Sequence, residues 1–310
     1  ATCLSQLYHD YRRGIRAGYA KFETFPVWNL PLAHPVNLAY EAATIDLEDV
    51  NMIDPFHLEA HHVTAINYNR DVESFPILSA IFQKILGKSP YASPTDMGVN
   101  MAGYCITDDA LVREAAKAEI IRRYYQALCN CKRGLLPAEQ ELKAEFIMNK
   151  CNTSAADRPV IAAAQARAAK ANAPAMAIEL EDGRMVTGKS SDLMGASAAT
   201  LLNALKVLAN IHKDIDLISP IVIEPIQRLK TQDFGNSNPR LHSDEALLAL
   251  CICAATNPTA ELAMQQLPKL RGCEAHASVI LSRMEADTFR KLGIHLTCEP
   301  EYQTNKLYHS

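Results

Sequence analysis

A β-hairpin pattern in the second half of the chain restricts the fold more than any other feature of the sequence. The runs Met176–Leu180 and Arg184–Thr187 have strand character, and Asp182-Gly183 lies in the short connection between them. An Asp-Gly pair adopts the positive φ angles that a tight hairpin turn requires. Two further strand candidates follow toward the C-terminus, with helical patterns between them. Because strands and helices alternate, we expect residues 173–310 to form a layered α/β domain.

The remainder of the chain falls into two segments of different character. Residues 104–172 are almost wholly helical in pattern and include the alanine-rich run 162–171, which has high intrinsic helix propensity. Residues 1–103 mix helical patterns with polar loops and end in a stretch rich in Pro, Gly, Ser and Asn. We therefore predict an α/β protein in which a helical subdomain, or a homo-oligomer-forming element, over 104–172 separates two other regions.

Charge, hydropathy and cysteine pattern exclude several classes of protein. The 31 Lys and Arg residues against 35 Asp and Glu leave a formal charge of −4, so we expect no general electrostatic binding to nucleic acid. No run approaches the roughly 18–20 apolar residues of a membrane-spanning helix, and no secretion signal is visible. The nine cysteines form no regular framework, which predicts reduced thiols in a cytoplasmic protein.

Two histidines lie in a short helix that the pair Asp54-Pro55 is expected to start, since Asp is a good helix cap and Pro is favoured in a first turn. On this helix His57 and His61 are i,i+4 neighbours and share a face. The pattern is close to the His-Glu-x-x-His zinc motif, but Glu59 stands two residues after the first histidine. Three interpretations follow: a zinc site without an identified third ligand, a pocket wall that carries histidines, and an exposed helix end.

The triplet Asn69-Arg70-Asp71 stands at the start of a helix predicted over Asn69–Leu86. Amide groups and a guanidinium beside a helix N-terminus suit the recognition of phosphate or carboxylate. The same three residues are equally typical of an asparagine helix cap with an Arg–Asp surface pair. Spacing alone leaves both interpretations open.

Two other polar stretches are candidates for chemistry. In residues 93–103, glycines permit close approach of the backbone, and Asp96 offers oxygen atoms to Mg²⁺ or to a hydroxyl group. A turn between domains explains the same composition. In the C-terminal half, Lys189, Arg240, His242 and His276 lie at predicted element ends, where helix capping is the competing explanation.

Several long segments carry a resemblance to a known family: NMIDPFHLEA, NYNRDVESFPIL, SPTDMGVNMAG, NPRLHSDEALLALCICAATNP and QLPKLRGCEAHASVILS. They closely resemble a bacterial family catalogued as domain of unknown function 1846, or uncharacterised protein family 0371, and the similarity runs from Ala1 to Tyr308. The resemblance implies an N-terminal α/β domain, a helical insertion and a C-terminal three-layer α/β/α domain with a topology similar to that of cytidine deaminases. It also implies a phosphate-cradling loop, ending in Gly-Ser-Gly-Lys-Met, just before the position of Ala1. Residues 1–103 are then expected to be the remainder of the N-terminal domain.

This resemblance favours an enzyme that binds a nucleotide or a phosphorylated metabolite in the N-terminal α/β domain. The catalytic candidates are His57, Asp96 and Glu23, and the ligand-binding candidates are Lys21, Asn69, Arg70 and Asp71. In this hypothesis Lys21 and Arg70 hold phosphate charge, and Asp96 or Glu23 holds Mg²⁺ or activates a hydroxyl group. His57 serves as the acid or base.

Where this chain departs from the family pattern, individual motifs lose support. Family members carry Tyr-Gly near His61-His62, which disfavours a metal site on those histidines, whereas His57 and Glu59 match the pattern. No His-x-Glu paired with Pro-Cys-x-x-Cys is present, so a deaminase-like topology does not imply deamination. Two alternatives stay open: a non-catalytic protein that binds partners or forms oligomers, and an enzyme whose site lies in the C-terminal domain.

Overall fold

The computed structural model of the protein describes residues 2–21, 26–98 and 102–303. The α-helices are α1 (Thr2–Arg12), α2 (Pro35–Ala43), α3 (Pro55–His61), α4 (Asn69–Leu86), α5 (Pro94–Met97), α6 (Asp109–Lys132), α7 (Glu139–Lys150), α8 (Pro159–Ala171), α9 (Ala196–Leu208), α10 (Pro220–Arg228), α11 (Ser243–Ala254), α12 (Pro258–Met264) and α13 (Arg283–Leu292). The strands are β1 (Asn51–Ile53), β2 (Ile66–Tyr68), β3 (Ala175–Glu179), β4 (Met185–Lys189), β5 (Glu274–Ala277) and β6 (His295–Cys298). The predicted mixed α/β class is confirmed.

The chain divides into two compact units. Unit 1 comprises residues 1–124 and 136–153, and unit 2 comprises residues 125–135 and 154–310. The helices predicted for residues 104–172 are present as α6, α7 and α8, and they are shared between the two units.

Unit 1 contains a small antiparallel sheet that positions helix α3. Strands β1 and β2 pair with Asn51 opposite Tyr68 and Ile53 opposite Ile66. Because α3 is the connection between these two strands, its first turn is held directly beyond the end of β1. Helix α3 begins at Pro55 with Asp54 as its cap, and α4 spans Asn69–Leu86. Both helix predictions are confirmed.

Unit 2 contains a four-stranded sheet with the order β4-β3-β5-β6. The predicted hairpin is confirmed: β3 and β4 are antiparallel, with Ala175 opposite Lys189 and Glu179 opposite Met185. Gly183, in the connection, has a φ angle of 79°. The two later strand candidates form β5 and β6, which are parallel to each other and are joined through α13.

Helices cover both faces of this sheet. Met176 of β3 and Ala275 of β5 lie in a large buried cluster with residues of α9, α11 and α12. Side chains alternate between the faces of a strand, so the neighbouring His276 points to the opposite face, where Tyr125 of α6 packs against it with ring centroids 5.1 Å apart. This arrangement agrees with the layered α/β domain predicted for the C-terminal half.

The backbone of β4 lies very close to α9. A Cβ atom placed on Gly188 would be 2.5 Å from the backbone nitrogen of Thr200, which is too short for a non-bonded contact. The hairpin and the helix can approach this closely only because residue 188 has no side chain.

Two of the sequence-based expectations, the lack of a membrane-spanning helix and the free cysteines, can be compared with the structure. Within the three described ranges, no helix combines the length and the hydropathy that crossing a membrane requires. All nine cysteines are free thiols. One of them, Cys129, is buried and donates to the carbonyl oxygen of Cys298 at 3.3 Å, and burial raises the pKa of the Cys129 thiol to about 12. The cytoplasmic location stays a prediction.

Candidate functional site

Helix α3 presents two histidines on one face. The Oδ1 atom of Asp54 accepts hydrogen bonds from the backbone N–H groups of Phe56 at 3.0 Å and His57 at 3.1 Å, which fixes the first turn. One helical turn later His61 lies beside His57, and the ring centroids are 4.6 Å apart. The shared face predicted for the two histidines is confirmed.

The short helix α5 brings a carboxylate to these histidines. Ser93 and Asp96 form a reciprocal capping box, in which Asp96 Oδ2 accepts from the N–H groups of Ser93 at 3.1 Å and Ala92 at 2.8 Å. The other oxygen, Asp96 Oδ1, lies 2.9 Å from His61 Nε2 and 3.5 Å from His57 Nδ1. We call the group His57, His61 and Asp96 the α3–α5 cluster.

One buried carboxylate holds both helices of the cluster in place. Asp54 is fully buried, and its second oxygen, Oδ2, accepts from Thr95 Oγ1 at 2.6 Å and from the Thr95 N–H at 3.2 Å. Asn67 of β2 donates to the same Thr95 hydroxyl at 3.3 Å. The first turns of α3 and α5 therefore share one acceptor, which fixes the orientation of the side chains that they carry.

The electrostatics of the cluster favour an ionised carboxylate. Burial by itself raises the pKa of Asp96, but the hydrogen bonds from His61 and Ala92 and the charges of the two histidines outweigh burial and lower the pKa below its usual value. At neutral pH a negative charge thus faces two imidazole rings. His57 is buried, Asp96 is half-buried and His61 is exposed, so the cluster opens to solvent on the His61 side.

An aromatic wall adjoins the cluster. The Trp28 ring packs edge-on against His57, with centroids 6.1 Å apart, and against Tyr104 at 5.9 Å. The carbonyl oxygen of Trp28 accepts from the N–H of Ile66 at 3.0 Å, which ties this wall to β2. Sequence reasoning missed Trp28 and Ser93 as neighbours of His57. The chain has a single tryptophan, and that rarity was the available signal.

The triplet at the start of α4 makes contacts within unit 1. Arg70 donates to Asp49 at 2.8 Å, and the Asn69 side chain accepts from the N–H of Val50 at 3.0 Å. Asp71 pairs with Lys21. The structure thus contains an Arg–Asp pair, as the second interpretation expected, and its carboxylate is Asp49. The asparagine cap of that interpretation is wrong, because the N-cap of α4 is Tyr68 and Asn69 is the first residue of the helix.

Of the remaining N-terminal candidates, Lys21 lies beside the end of α5. Its backbone N–H donates to the carbonyl oxygen of Met97 at 2.7 Å, and it forms a parallel bridge with Gly98. The backbone of Lys21 is thus near the end of α5, while its ammonium group pairs with Asp71. Glu23 lies outside the described residues.

The C-terminal alternative includes a histidine that is enclosed in the sheet. His276 is fully buried, with Nδ1 2.8 Å from Thr297 Oγ1 and Nε2 3.1 Å from Glu299 Oε1. Burial lowers the pKa of His276, which favours the neutral ring. Arg158 is also buried here and donates from Nε to Glu274 at 2.9 Å. These groups form an interior polar network that joins β5, β6 and the start of α8.

Of the other C-terminal candidates, Arg240 lines a surface cleft. This cleft has a volume of about 390 Å³ and is lined by Asp192, Ser237, Asn238, Pro239 and Arg240. Arg240 donates from Nε to the carbonyl oxygen of Ser191 at 2.7 Å. Lys189 precedes Ser191 by two residues and is exposed at the end of β4. His242 caps α11 together with Glu245. His276, being fully buried, is not part of this surface.

The α3–α5 cluster, on its α/β framework, is a candidate binding or catalytic site. Comparison with known proteins identifies the family to which the chain belongs. The model described as "Domain of unknown function DUF1846, N-terminal" matches residues 1–152, and its C-terminal counterpart matches residues 156–308. The chain belongs to this family, and the resemblance found in the sequence is confirmed. The border between the two family domains coincides with the border near residue 153 between the two units.

Curated relatives are identical to this chain at more than half of the aligned positions. The UPF0371 protein of Streptococcus uberis is 57% identical over 308 residues, which cover 99% of this chain and 62% of the relative. A UPF0371 protein of Clostridium tetani is 53% identical over 319 residues, covering 100% of this chain and 64% of the relative. The chain thus spans less than two thirds of the length of these relatives. Their names state no activity, so the family does not assign a reaction.

Proposed function

We propose that unit 1 carries the active site of an enzyme that acts on a phosphorylated small molecule, with His57 as the acid–base group. The observation that carries this proposal is the contact of His57 Nδ1 with Ser93 Oγ at 2.9 Å and with the Asp96 carboxylate at 3.5 Å. A carboxylate beside an imidazole orients the ring and stabilises its protonated form, as general acid–base catalysis requires.

In this proposal the two nitrogens of His57 have different tasks. Ser93 and Asp96 hold Nδ1, which leaves Nε2 to exchange a proton with the substrate. Asp96 acts as a positioning residue, because its Oδ2 atom is fixed by two backbone N–H groups and its Oδ1 atom faces the histidines. The Trp28 ring limits the access of water to one side of His57.

The phosphorylated nature of the substrate rests on the family resemblance, which implies a phosphate-cradling loop in the longer family members. Lys21 and Arg70 are the proposed phosphate-binding residues, and each would exchange its present carboxylate partner for the ligand. Mg²⁺ carried with a nucleotide is part of the same proposal. We also expect a homo-oligomer, and a monomer mass of 34.2 kDa in light scattering would contradict that expectation. A cytidine-deaminase-like topology for unit 2 stays a prediction of the resemblance.

The first test is a thermal-shift panel of nucleotides, sugar phosphates and inorganic phosphate, each with and without Mg²⁺. A ligand at 100 times its Kd stabilises a protein by about 2.7 kcal/mol, which raises the melting temperature by roughly 5–10 °C. The Streptococcus uberis relative is measured alongside this chain. The absence of a shift in both proteins would overturn the phosphorylated-ligand proposal.

The second test follows turnover of the compound that binds, by ³¹P NMR. We expect His57→Gln to lose at least about 100-fold in rate, since proton transfer by a positioned side chain contributes about that much. His212→Gln is the matched control, because His212 is an exposed histidine of unit 2. Equal rates for wild type and His57→Gln would refute the acid–base role.

A further inference from the structure

We propose that the α3–α5 cluster binds one transition-metal ion of the zinc class through His57, His61 and Asp96. Within residues 2–21, 26–98 and 102–303, this is the one group of three metal-ligating side chains whose ligand atoms all lie within 4.8 Å of one another. The proposal goes beyond the proposed function, since proton transfer by His57 requires no metal. It replaces the expectation that the family pattern disfavours a metal here, because the structure adds Asp96 as the third ligand that the sequence did not identify.

The geometry of the cluster matches the size of such an ion. Zinc binds imidazole nitrogen at about 2.0–2.1 Å and carboxylate oxygen at about 2.0–2.2 Å, so ligand atoms around a tetrahedral ion lie roughly 3.3–3.5 Å apart. Asp96 Oδ1 is 3.5 Å from His57 Nδ1 and 2.9 Å from His61 Nε2. Small side-chain movements convert these separations into a coordination shell, and exposed His61 has the freedom to make them.

The surroundings prepare Asp96 as a ligand. Its Oδ2 atom is held by the N–H groups of Ala92 and Ser93, so Oδ1 is the oxygen that faces the histidines. Hydrogen bonds of this kind orient a ligand and are a regular feature of metal sites. Ser93 Oγ lies 2.9 Å from His57 Nδ1, and metal binding replaces that hydrogen bond.

The donor set selects the class of metal. Two imidazole nitrogens with one carboxylate oxygen suit Zn²⁺, Ni²⁺, Cu²⁺ or Fe²⁺, whereas Mg²⁺ and Ca²⁺ take oxygen ligands. Three protein ligands leave a coordination position for water or a ligand oxygen. The ion would occupy Nδ1 of His57, the nitrogen that Ser93 and Asp96 contact in the proposed acid–base arrangement, so the metal-bound ring lacks the contacts on which that arrangement depends.

Isothermal titration of the 310-residue chain with Zn²⁺ at pH 7, without any phosphorylated compound, tests the site. We expect one ion per chain, and at least about tenfold weaker binding for His61→Gln, because the loss even of groups outside the first shell costs 10–100-fold in metal affinity. His61 is exposed, so this substitution leaves the fold intact. With Co²⁺, wild type should give visible absorption bands of a tetrahedral ion.

His62→Asn is the matched control, because His62 adjoins His61 and has a positive φ of 57° that asparagine tolerates. The control should bind Zn²⁺ as wild type does. Absence of a one-ion binding event, or equal weakening by His62→Asn and His61→Gln, would overturn the proposal. Because no phosphorylated compound is used, metal binding is judged independently of the enzymatic proposal.

Discussion

Replacing Asp54 is expected to loosen the whole framework of the candidate site. This fully buried carboxylate accepts two hydrogen bonds at the start of α3 and two from Thr95 at the start of α5. Asp54→Ala removes all four at once and leaves the donors of Thr95 without this acceptor. The effect should therefore exceed that of losing a helix cap alone.

The magnitude follows from the contacts. Loss of a helix cap costs about 1 kcal/mol, and hydrogen bonds to a charged acceptor contribute about 1.5–3 kcal/mol. We expect Asp54→Ala to lower the free energy of unfolding of unit 1 by about 3–4 kcal/mol. Thr95→Val removes only the hydroxyl donor and should cost about 1–2 kcal/mol. Asp46→Ala, at an exposed position of the same unit, should change stability by less than about 0.5 kcal/mol.

The chain supplies its own probe for this experiment. Its single tryptophan, Trp28, packs against His57 in unit 1, so urea unfolding followed by tryptophan fluorescence reports on the unit that contains Asp54. An Asp54→Ala variant within 1 kcal/mol of wild type would refute the shared-acceptor reasoning. So would equal destabilisation by Asp54→Ala and Thr95→Val.

Three further predictions concern unit 2. Gly188→Ala should lower the free energy of unfolding by about 1–3 kcal/mol, because its Cβ would meet the backbone of Thr200; a loss below 0.5 kcal/mol in urea unfolding would contradict the close packing. Stability should fall as the pH drops below about 6.5, because the unfolded chain then binds a proton that buried His276, with its lowered pKa, does not. A melting temperature that rises as the pH is lowered from 7.5 to 5.5 would contradict the prediction for His276. Glu299, whose pKa is lowered by its hydrogen bond with His276, adds a further loss of stability below about pH 4.5. Iodoacetamide at pH 8 should modify Cys129 more slowly than the exposed cysteines of the native protein, since a thiol with a pKa of about 12 is scarcely ionised. Equal modification rates for Cys129 and the exposed cysteines, measured by mass spectrometry, would refute the burial of Cys129.

Local signals in the sequence predicted the local parts of this fold. The turn at Asp182-Gly183 and the cap at Asp54 depend on a few adjacent residues, so both the β3–β4 hairpin and the start of α3 were predictable. The shared face of His57 and His61 follows in the same way from helical geometry. Each of these features is decided within about one turn or one hairpin.

Contacts between distant segments could not be read in this way. His61 meets Asp96 across 35 positions and Asp54 meets Thr95 across 41, and both contacts depend on how α5 packs beside α3. For the same reason Arg70 pairs with Asp49 rather than with the adjacent Asp71. Asp96, the third member of the α3–α5 cluster, was therefore predicted from the sequence only as a separate candidate, and its contacts with His57 and His61 were not predicted.

The location of the site is tested most directly by NMR of the histidine rings. The chain has ten histidines, and single substitutions assign the ring signals of His57, His61 and His242. The titrant is the compound from the phosphate panel that stabilises the chain most. We predict that the His57 and His61 signals shift during the titration while the signal of His242, beside the Arg240 cleft, does not. Shifts at His242 with unchanged His57 and His61 signals would contradict it.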